Sequence, residues 1–360
     1  MGTLGTSLAR RDNALNLVRL LLATSVIVWH TYPVLAVEPG WPASLIGSGA
    51  VNGFFAISGY LIAGSRLRLP FGRYLWKRFI RIYPGFWVAL LITAFVLAPI
   101  AGALTGTAYS LGTGVNYVAQ NVTLWIGEQT IGQTLTTVPH AQVWNASLWT
   151  LFYEFTAYLL IGFALSIPLV RRHLASFALG ATVLLSIGAG MEVGAEWPAP
   201  FDLALGGFRL WSFFAAGALV YALRDHVRVS PAVGAISFIV LVVTYLAGFE
   251  GWLSPLPLSV FLLWLGASLP MRLGSVNDIS YGMYVYAFPI QQMLVILLGT
   301  EVPPWLFMIA TAACTAPFAL ASWHLVEKPT MRLRFPKRSS ASSVTKRQAT
   351  TTPGRQAPAL

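Results

Sequence analysis

Charge is scarce in this chain. Only 10% of its 360 residues are charged and 56% are hydrophobic, whereas a soluble domain carries roughly 25% charged residues. A soluble core has no use for so much apolar surface, but lipid accepts apolar side chains on every face of a helix. A soluble enzyme is therefore excluded. Cysteine is nearly absent. Cys314 stands alone in an apolar run, which rules out an intrachain disulfide and leaves the redox compartment unread. The five histidines are scattered without ligand spacing, so no metal site is visible. No internal repeat is apparent. The net charge of +11 would suit nucleic acid on a soluble face. Here it sits in short segments between apolar runs, the pattern of cytoplasmic loops beside anionic lipid, and nucleic acid is excluded as a partner.

What the chain does have is hydrophobic length. A crossing helix needs about 20 apolar residues. Ten stretches qualify or nearly so: Leu15–Val34, Gly49–Ala63, Ile82–Ala103, Ser147–Pro168, Leu174–Gly190, Gly206–Leu223, Ala232–Phe249, Leu256–Leu269, Ile279–Leu298 and Pro304–Val326. The second and eighth are short. Arg10 and Arg11 before the first stretch resemble a signal sequence, but no small-residue cleavage site ends it and Trp29, His30 and Tyr32 follow. It reads as an uncleaved helix. The expectation is an all-α, polytopic integral membrane protein of about ten transmembrane helices. Residues 1–12 form a cytoplasmic N-terminus, residues 13–330 one membrane domain, and residues 331–360 a basic cytoplasmic tail of disordered composition.

Charge counting gives a direction. With a cytoplasmic N-terminus, the inner gaps hold Arg66, Arg68, Arg73, Lys77, Arg78 and Arg81, then Arg171 and Arg172, then Arg224 and Arg228, then Arg272 and the tail. The outer gaps hold no Lys or Arg, only acids such as Glu38, Glu128, Glu192, Glu196, Asp202, Glu250 and Glu301. A wrong helix count would mix the two sets, so the split supports ten spans with both termini inside. The longest outer gap, about Leu104 to Ala146, is polar and uncharged over most of its length. That suits contact with a neutral glycan or a lipid headgroup, and a merely solvated loop equally well.

Ionisable groups inside a span are costly and point to function. Arg19 and His30 share the first helix. Eleven residues turn about 1100°, close to three full turns, so both lie on one face roughly 16 Å apart. The plain alternative has Arg19 snorkelling to the cytoplasm and His30 at the interface. Glu154 lies about 10 Å into the fourth stretch, near the depth expected of His30. A carboxylate there can raise the basicity of a histidine, or it can form a structural ion pair with Arg209 of the sixth stretch. Arg78 and Arg81, at i and i+3, face one side at the inner mouth of the third stretch and suit phosphate. On spacing alone, ordinary positive-inside charge is the simpler account of them.

Six segments in order resemble the acyltransferase 3 family of bacterial membrane O-acyltransferases. They are Arg19 with His30 as Arg-x10-His; Phe54-Phe55-Ala56-Ile57-Ser58-Gly59-Tyr60; Arg78-Phe79-Ile80-Arg81 with Ile82-Tyr83-Pro84; Ser147-Leu148-Trp149-Thr150-Leu151-Phe152-Tyr153-Glu154; Ile279-Ser280-Tyr281-Gly282-Met283-Tyr284; and Val326-Glu327-Lys328-Pro329. Two features depart from the family. Ala287 stands in a region where many members carry a histidine, and no fused soluble esterase-like domain is present, so a separate soluble partner is one expectation.

The resemblance implies a multi-pass protein of the bacterial cytoplasmic (inner) membrane. It would move an acyl group, acetyl above all, from cytoplasmic acyl-CoA to a hydroxyl of an envelope glycan or related acceptor, with no permanently bound cofactor. Arg19, Arg78 and Arg81 are candidates for holding the donor. His30 is the candidate general base or acylated nucleophile, and Glu154 its orienting partner. Ser58 or Tyr60 is a candidate for the oxyanion. Arg209, Trp149 and Tyr281 are further candidates for substrate or ion-pair contact. A transporter or flippase for a lipid-linked saccharide shares the helices and the buried charge, though it commonly shows repeats. A scaffold in a polysaccharide-synthesis complex would need no His30 chemistry.

Overall fold

A computed structural model describes residues 2–9, 13–191, 201–269, 277–333 and 335. Arg10, Arg11, Glu192, Glu196, Arg272 and the tail from residue 336 lie outside the described residues. Within them every regular element is helical, and the only β-type pairing is a single bridge between Thr3 and Arg228.

Ten principal helices cover the ten apolar stretches: α1 Leu15–Leu35, α2 Trp41–Arg68, α3 Phe71–Thr105, α4 Trp149–Ala164, α5 Leu174–Met191, α6 Phe201–Leu223, α7 Pro231–Leu246, α8 Pro255–Ser268, α9 Ser280–Leu298 and α10 Pro304–Thr330. Five are long and apolar enough to cross a membrane by themselves, namely α1, α3, α6, α9 and α10; α5, α7 and α8 are shorter apolar helices. The chain is thus an all-helical membrane-type protein.

α2 and α3 exceed their apolar stretches by the most, and a search for apolar runs stops at the charges of Arg66, Arg73 and Lys77. α3 begins eleven residues before Ile82. Its first turns are amphipathic: Tyr74 is fully buried and donates to the Tyr158 carbonyl at 2.8 Å, while Arg73 and Lys77 are exposed. α2 opens with Pro42 in its first turn, where a missing N–H costs nothing, and runs on to Arg66 and Arg68.

α9 is the central post. Every residue from Ser280 to Val295 is buried, and α1 and α10 pack along it. Across the bundle, α2 and α6 cross in close contact. A Cβ on Gly59 would stand 1.9 Å from the Phe214 carbonyl oxygen, and one on Gly217 1.9 Å from the Ala56 carbonyl oxygen. Only glycine lets the two backbones meet, the small-residue packing that substitutes for hydrophobic driving force in lipid. Gly59→Leu is therefore expected to remove most of the protein from the membrane fraction; wild-type abundance on an immunoblot would contradict this packing.

The basic gaps gather at one end. Backbone bonds tie Leu4 to Val227 (2.9 Å) and Gly5 to Arg224 (3.0 Å). Arg66 donates to the Gly162 carbonyl at 3.0 Å and to Ser166 at 2.7 Å, and Arg171 donates to the Leu67 carbonyl at 2.8 Å. We term this the basic end.

The segment after α3 folds into a cap. It contains a helix, Leu111–Asn121, whose N-terminus is capped by Ser110 accepting from the Thr113 N–H at 3.2 Å. The Asn121 amide clasps the Glu128 backbone, and Thr130 bonds the Glu128 carboxylate. Those Thr130 bonds hold the carboxyl below the usual range. From Trp144 the chain then descends into the bundle. Asn145 donates to the Val285 carbonyl at 2.8 Å, and the Ser147 carbonyl accepts from the Tyr284 hydroxyl at 2.7 Å. Trp144, Asn145, Ser147 and Leu148 are all buried. Irregular backbone at such depth is tolerated only where protein surrounds it. α4 consequently starts inside the bundle beside Tyr284 rather than at the surface, which shortens the stretch expected from Ser147 to Pro168.

Candidate functional site

Two cavities lie end to end along α1, α4 and α9. The basic-end cavity, about 100 Å³, is lined by Arg19, Ser58, Arg78, Arg81, Glu154, Tyr158 and Tyr281 among others. The far cavity, about 210 Å³, is lined by Trp29, His30, Ser147, Trp149 and Arg209 among others. Val51, Thr150 and Tyr284 line both. The two spaces therefore share a wall whose polar part is the directly hydrogen-bonded pair of Thr150 and Tyr284 hydroxyls.

The face shared by Arg19 and His30 follows this axis, with one residue in each cavity. Arg19 is not free, however. It donates to Asp278 at 2.8 Å; Arg81 donates to the same carboxylate at 2.7 Å and to Glu327 at 2.7 Å. Asp278, in the turn before α9, also accepts from Ser280 at 2.6 Å. Burial pushes its carboxyl up, but Arg19 and then Arg81 outweigh burial and hold it below the usual carboxylate range. Glu327, only 1% exposed, lies in a π-helical turn, Trp323–Glu327. That wider turn aligns positions five apart, and Ser322 accordingly donates to Glu327 at 3.1 Å.

Two arginines and two carboxylates thus neutralise one another. Two charges remain in the cavity wall, the Arg78 guanidinium and the Glu154 carboxylate. The Arg78 guanidinium stacks 6.0 Å from the Tyr158 ring centroid, its Nε is buried without a hydrogen-bond partner, and no carboxylate pairs with it among the described residues. Arg78 and Arg81 do face one side, but of the two only Arg78 is without a carboxylate partner among the described residues.

Glu154 lies elsewhere than depth alone suggests. It accepts from Ser58 at 2.9 Å and from Tyr158 at 2.5 Å, in the basic-end cavity. It is bonded neither to His30 nor to Arg209. The cause is the buried start of α4: a depth counted from the far surface overshoots toward the basic end. The His30 ring instead meets Phe288 edge-on, centroids 5.0 Å apart. His140 of the cap meets the same Phe288 at 5.6 Å, and burial pushes the His140 imidazole down.

Ser58 lines the basic-end cavity, but Tyr60 turns away and packs edge-on against Tyr221 at 5.3 Å. Two residues along a helix rotate the side chain by about 200°, so the pair cannot share a site. Tyr281 donates to the Ile82 carbonyl at 2.7 Å beneath Arg81. Trp149 lines the far cavity. Ala287 packs in a small apolar cluster with Ala23, Ile27, Met283 and Ala319, so no ring or charge faces the site from that position.

Sequence reasoning missed Asp278, Tyr158 and the Thr150–Tyr284 wall. Asp278 left one signal: an acid in an otherwise basic gap, next to Ser280-Tyr281. The hydroxyls left none, since neutral polar residues are common in helices.

A sequence model described as an acyltransferase domain matches residues 12–324. An O-acetyl transferase of Shigella phage Sf6 is 27% identical over 340 residues, covering 91% of this chain and 99% of that protein. Nodulation protein 10 of Rhizobium leguminosarum bv. viciae is 27% identical over 352 residues, covering 89% of this chain and 94% of that protein. No solved structure matches.

Proposed function

Since the chain belongs to this acyltransferase family and is an acyltransferase, we propose that it carries an acyl group, acetyl in the first instance, from cytoplasmic acyl-CoA to a glycan hydroxyl on the opposite side of the bacterial inner membrane. The ten helices each cross the bilayer or pack within it, with the basic end and both termini in the cytoplasm. The observation that carries this reading is the pair of cavities meeting at Thr150–Tyr284, one with a spare arginine and the other with a histidine.

The basic-end cavity, with Arg78, suits the phosphate-bearing donor, and the far cavity, with His30 and Trp149, suits a sugar. Arg78 binds a donor phosphate, with Arg19 and Arg81 held in place behind it by Asp278 and Glu327. The thioester reaches the Thr150–Tyr284 wall. His30 takes the proton from the acceptor hydroxyl as the oxygen attacks the thioester carbonyl. The tetrahedral oxyanion collapses, the C–S bond breaks, and the leaving CoA thiolate recovers the proton from His30. The products are the ester and free CoA. Glu154, bonded to Ser58 and Tyr158, shapes the donor side rather than tuning His30.

Incubating purified protein with radiolabelled acetyl-CoA and an envelope glycan extract tests the reading. Base-labile label in the glycan supports it. A folded protein that neither binds acetyl-CoA nor labels glycan would favour a saccharide flippase, which needs no donor. Within that assay Arg78→Ala is expected to raise the KM for acetyl-CoA about ten- to a hundredfold, the worth of a hydrogen bond to a charged group. An unchanged donor KM would return Arg78 to a topological role.

A further inference from the structure

The far cavity is electrostatically lopsided. Its wall contains Arg209 and no Asp or Glu. Arg19 and Arg81 each have a carboxylate within hydrogen-bond distance; Arg209, inside α6, has none among the described residues. A guanidinium at membrane depth without a counter-ion is costly. It also offers only donors, up to five of them in a planar fork. In the same cavity the Ser147 hydroxyl is buried, 2% exposed, and its oxygen has no hydrogen-bond partner. Polar atoms so buried are normally satisfied. A cation with no acceptor and a hydroxyl with no partner therefore line one space, beside the His30 ring and the exposed Trp149.

What such a wall lacks is an acceptor-rich negative group. A neutral sugar hydroxyl could bond Ser147, but it would leave the charge of Arg209 unmet. A carboxylate or phosphate satisfies both, because its oxygens take the forked N–H pair and the serine hydroxyl together. Trp149 supplies an apolar face for a sugar ring.

We propose that Arg209 and Ser147 form an oxyanion-binding subsite of the acceptor cavity, and that the acceptor is an acidic saccharide whose carboxylate or phosphate lies beside the hydroxyl that receives the acyl group. This rests on the reading of the far cavity as the acceptor site. Glu128, the cap's carboxylate, is tied to Thr130 and does not line the far cavity, and the anion replaces the missing counter-ion of Arg209 on binding. Arg209 thereby sets acceptor selectivity, while His30 performs the proton transfer.

The test uses the full-length protein in lipid with radiolabelled acetyl-CoA. An envelope glycan extract is split by anion exchange into neutral and acidic fractions, and labelling of each is measured for wild type, Arg209→Gln and Ser147→Ala. The readout is the acidic-to-neutral ratio of kcat/KM, which is independent of how much folded enzyme each preparation contains. Wild type is expected to favour the acidic fraction at least about tenfold. Arg209→Gln brings the ratio close to one through a higher KM for the acidic acceptor, and Ser147→Ala lowers it by a smaller factor. Prior carbodiimide reduction of carboxyl groups abolishes labelling if the anion is a carboxylate; prior dephosphorylation with cold hydrofluoric acid abolishes it if the anion is a phosphate. A wild-type ratio near one, or a ratio that Arg209→Gln leaves intact, overturns the subsite while acyl transfer stands. Equal loss of kcat on both fractions assigns Arg209 to the reacting carbonyl and also overturns it. Absence of label from both fractions with wild type contradicts the acyltransfer reading itself, and the subsite with it.

Discussion

His30→Ala is expected to lower glycan acylation by about two to four orders of magnitude, the usual contribution of a positioned general acid–base group. Amounts in the membrane should match wild type. The ring meets Phe288 edge-on and makes no ion pair among the described residues, so its removal strands no charge there. The loss should appear in kcat, with the KM for acetyl-CoA little changed, because the donor arginines line the other cavity. His140, which also meets Phe288, does not line the far cavity and is not expected to replace it. Near-wild-type turnover in His30→Ala would remove the histidine from the chemistry and leave the scaffold reading of the chain.

Asp278→Asn is expected to be severe for a different reason. The carboxylate serves two arginines at once, Arg19 at 2.8 Å and Arg81 at 2.7 Å. Asparagine keeps the shape but removes the charge, leaving Arg19 with no counter-ion and Arg81 dependent on Glu327 alone. Breaking one side of a buried ion pair costs about 3–5 kcal/mol, mostly from the uncompensated charge that remains. Thermal unfolding of the detergent-purified protein should therefore occur well below the wild-type temperature. Combining the change with Arg19→Met should recover part of the loss, since the stranded charge is then gone. A single mutant as stable as wild type would mean that solvent or lipid phosphate, not Asp278, balances the arginines.

Much of this architecture was legible in the chain. Each of the ten apolar stretches carries a helix, and Arg19 and His30, eleven residues apart on α1, line one cavity each. Gly59 and Gly217 each meet the backbone of the facing helix, at Phe214 and Ala56, a contact that small residues permit. Helix ends were less legible where charge interrupts hydrophobicity, as at Arg73 and Lys77, because an amphipathic helix continues past the point where an apolar run stops.

The site was legible in its charges and hidden in its pairings. Spacing places residues along a helix but does not say which neighbour a side chain meets. Arg81 suited phosphate by spacing, but it pairs with Asp278 and Glu327, and the π turn that aims Glu327 has no sequence signature. Glu154 was assigned to the wrong end of the axis for a tertiary reason: the chain from Trp144 to Leu148 enters the bundle before α4 begins, anchored on Val285 and Tyr284. The Thr150–Tyr284 wall consists of ordinary hydroxyls and becomes meaningful only when a cavity is found on each side of it.

The central claim is that the acyl group crosses the membrane through these two cavities. Proteoliposomes loaded with radiolabelled acetyl-CoA, with envelope glycan supplied only outside, measure this directly. Base-labile label should accumulate on the external glycan while the acetyl-CoA stays enclosed, and Thr150→Trp, which fills the wall between the cavities, should stop it. If glycan is labelled only when detergent mixes donor and acceptor on one side, the route across the bilayer is contradicted.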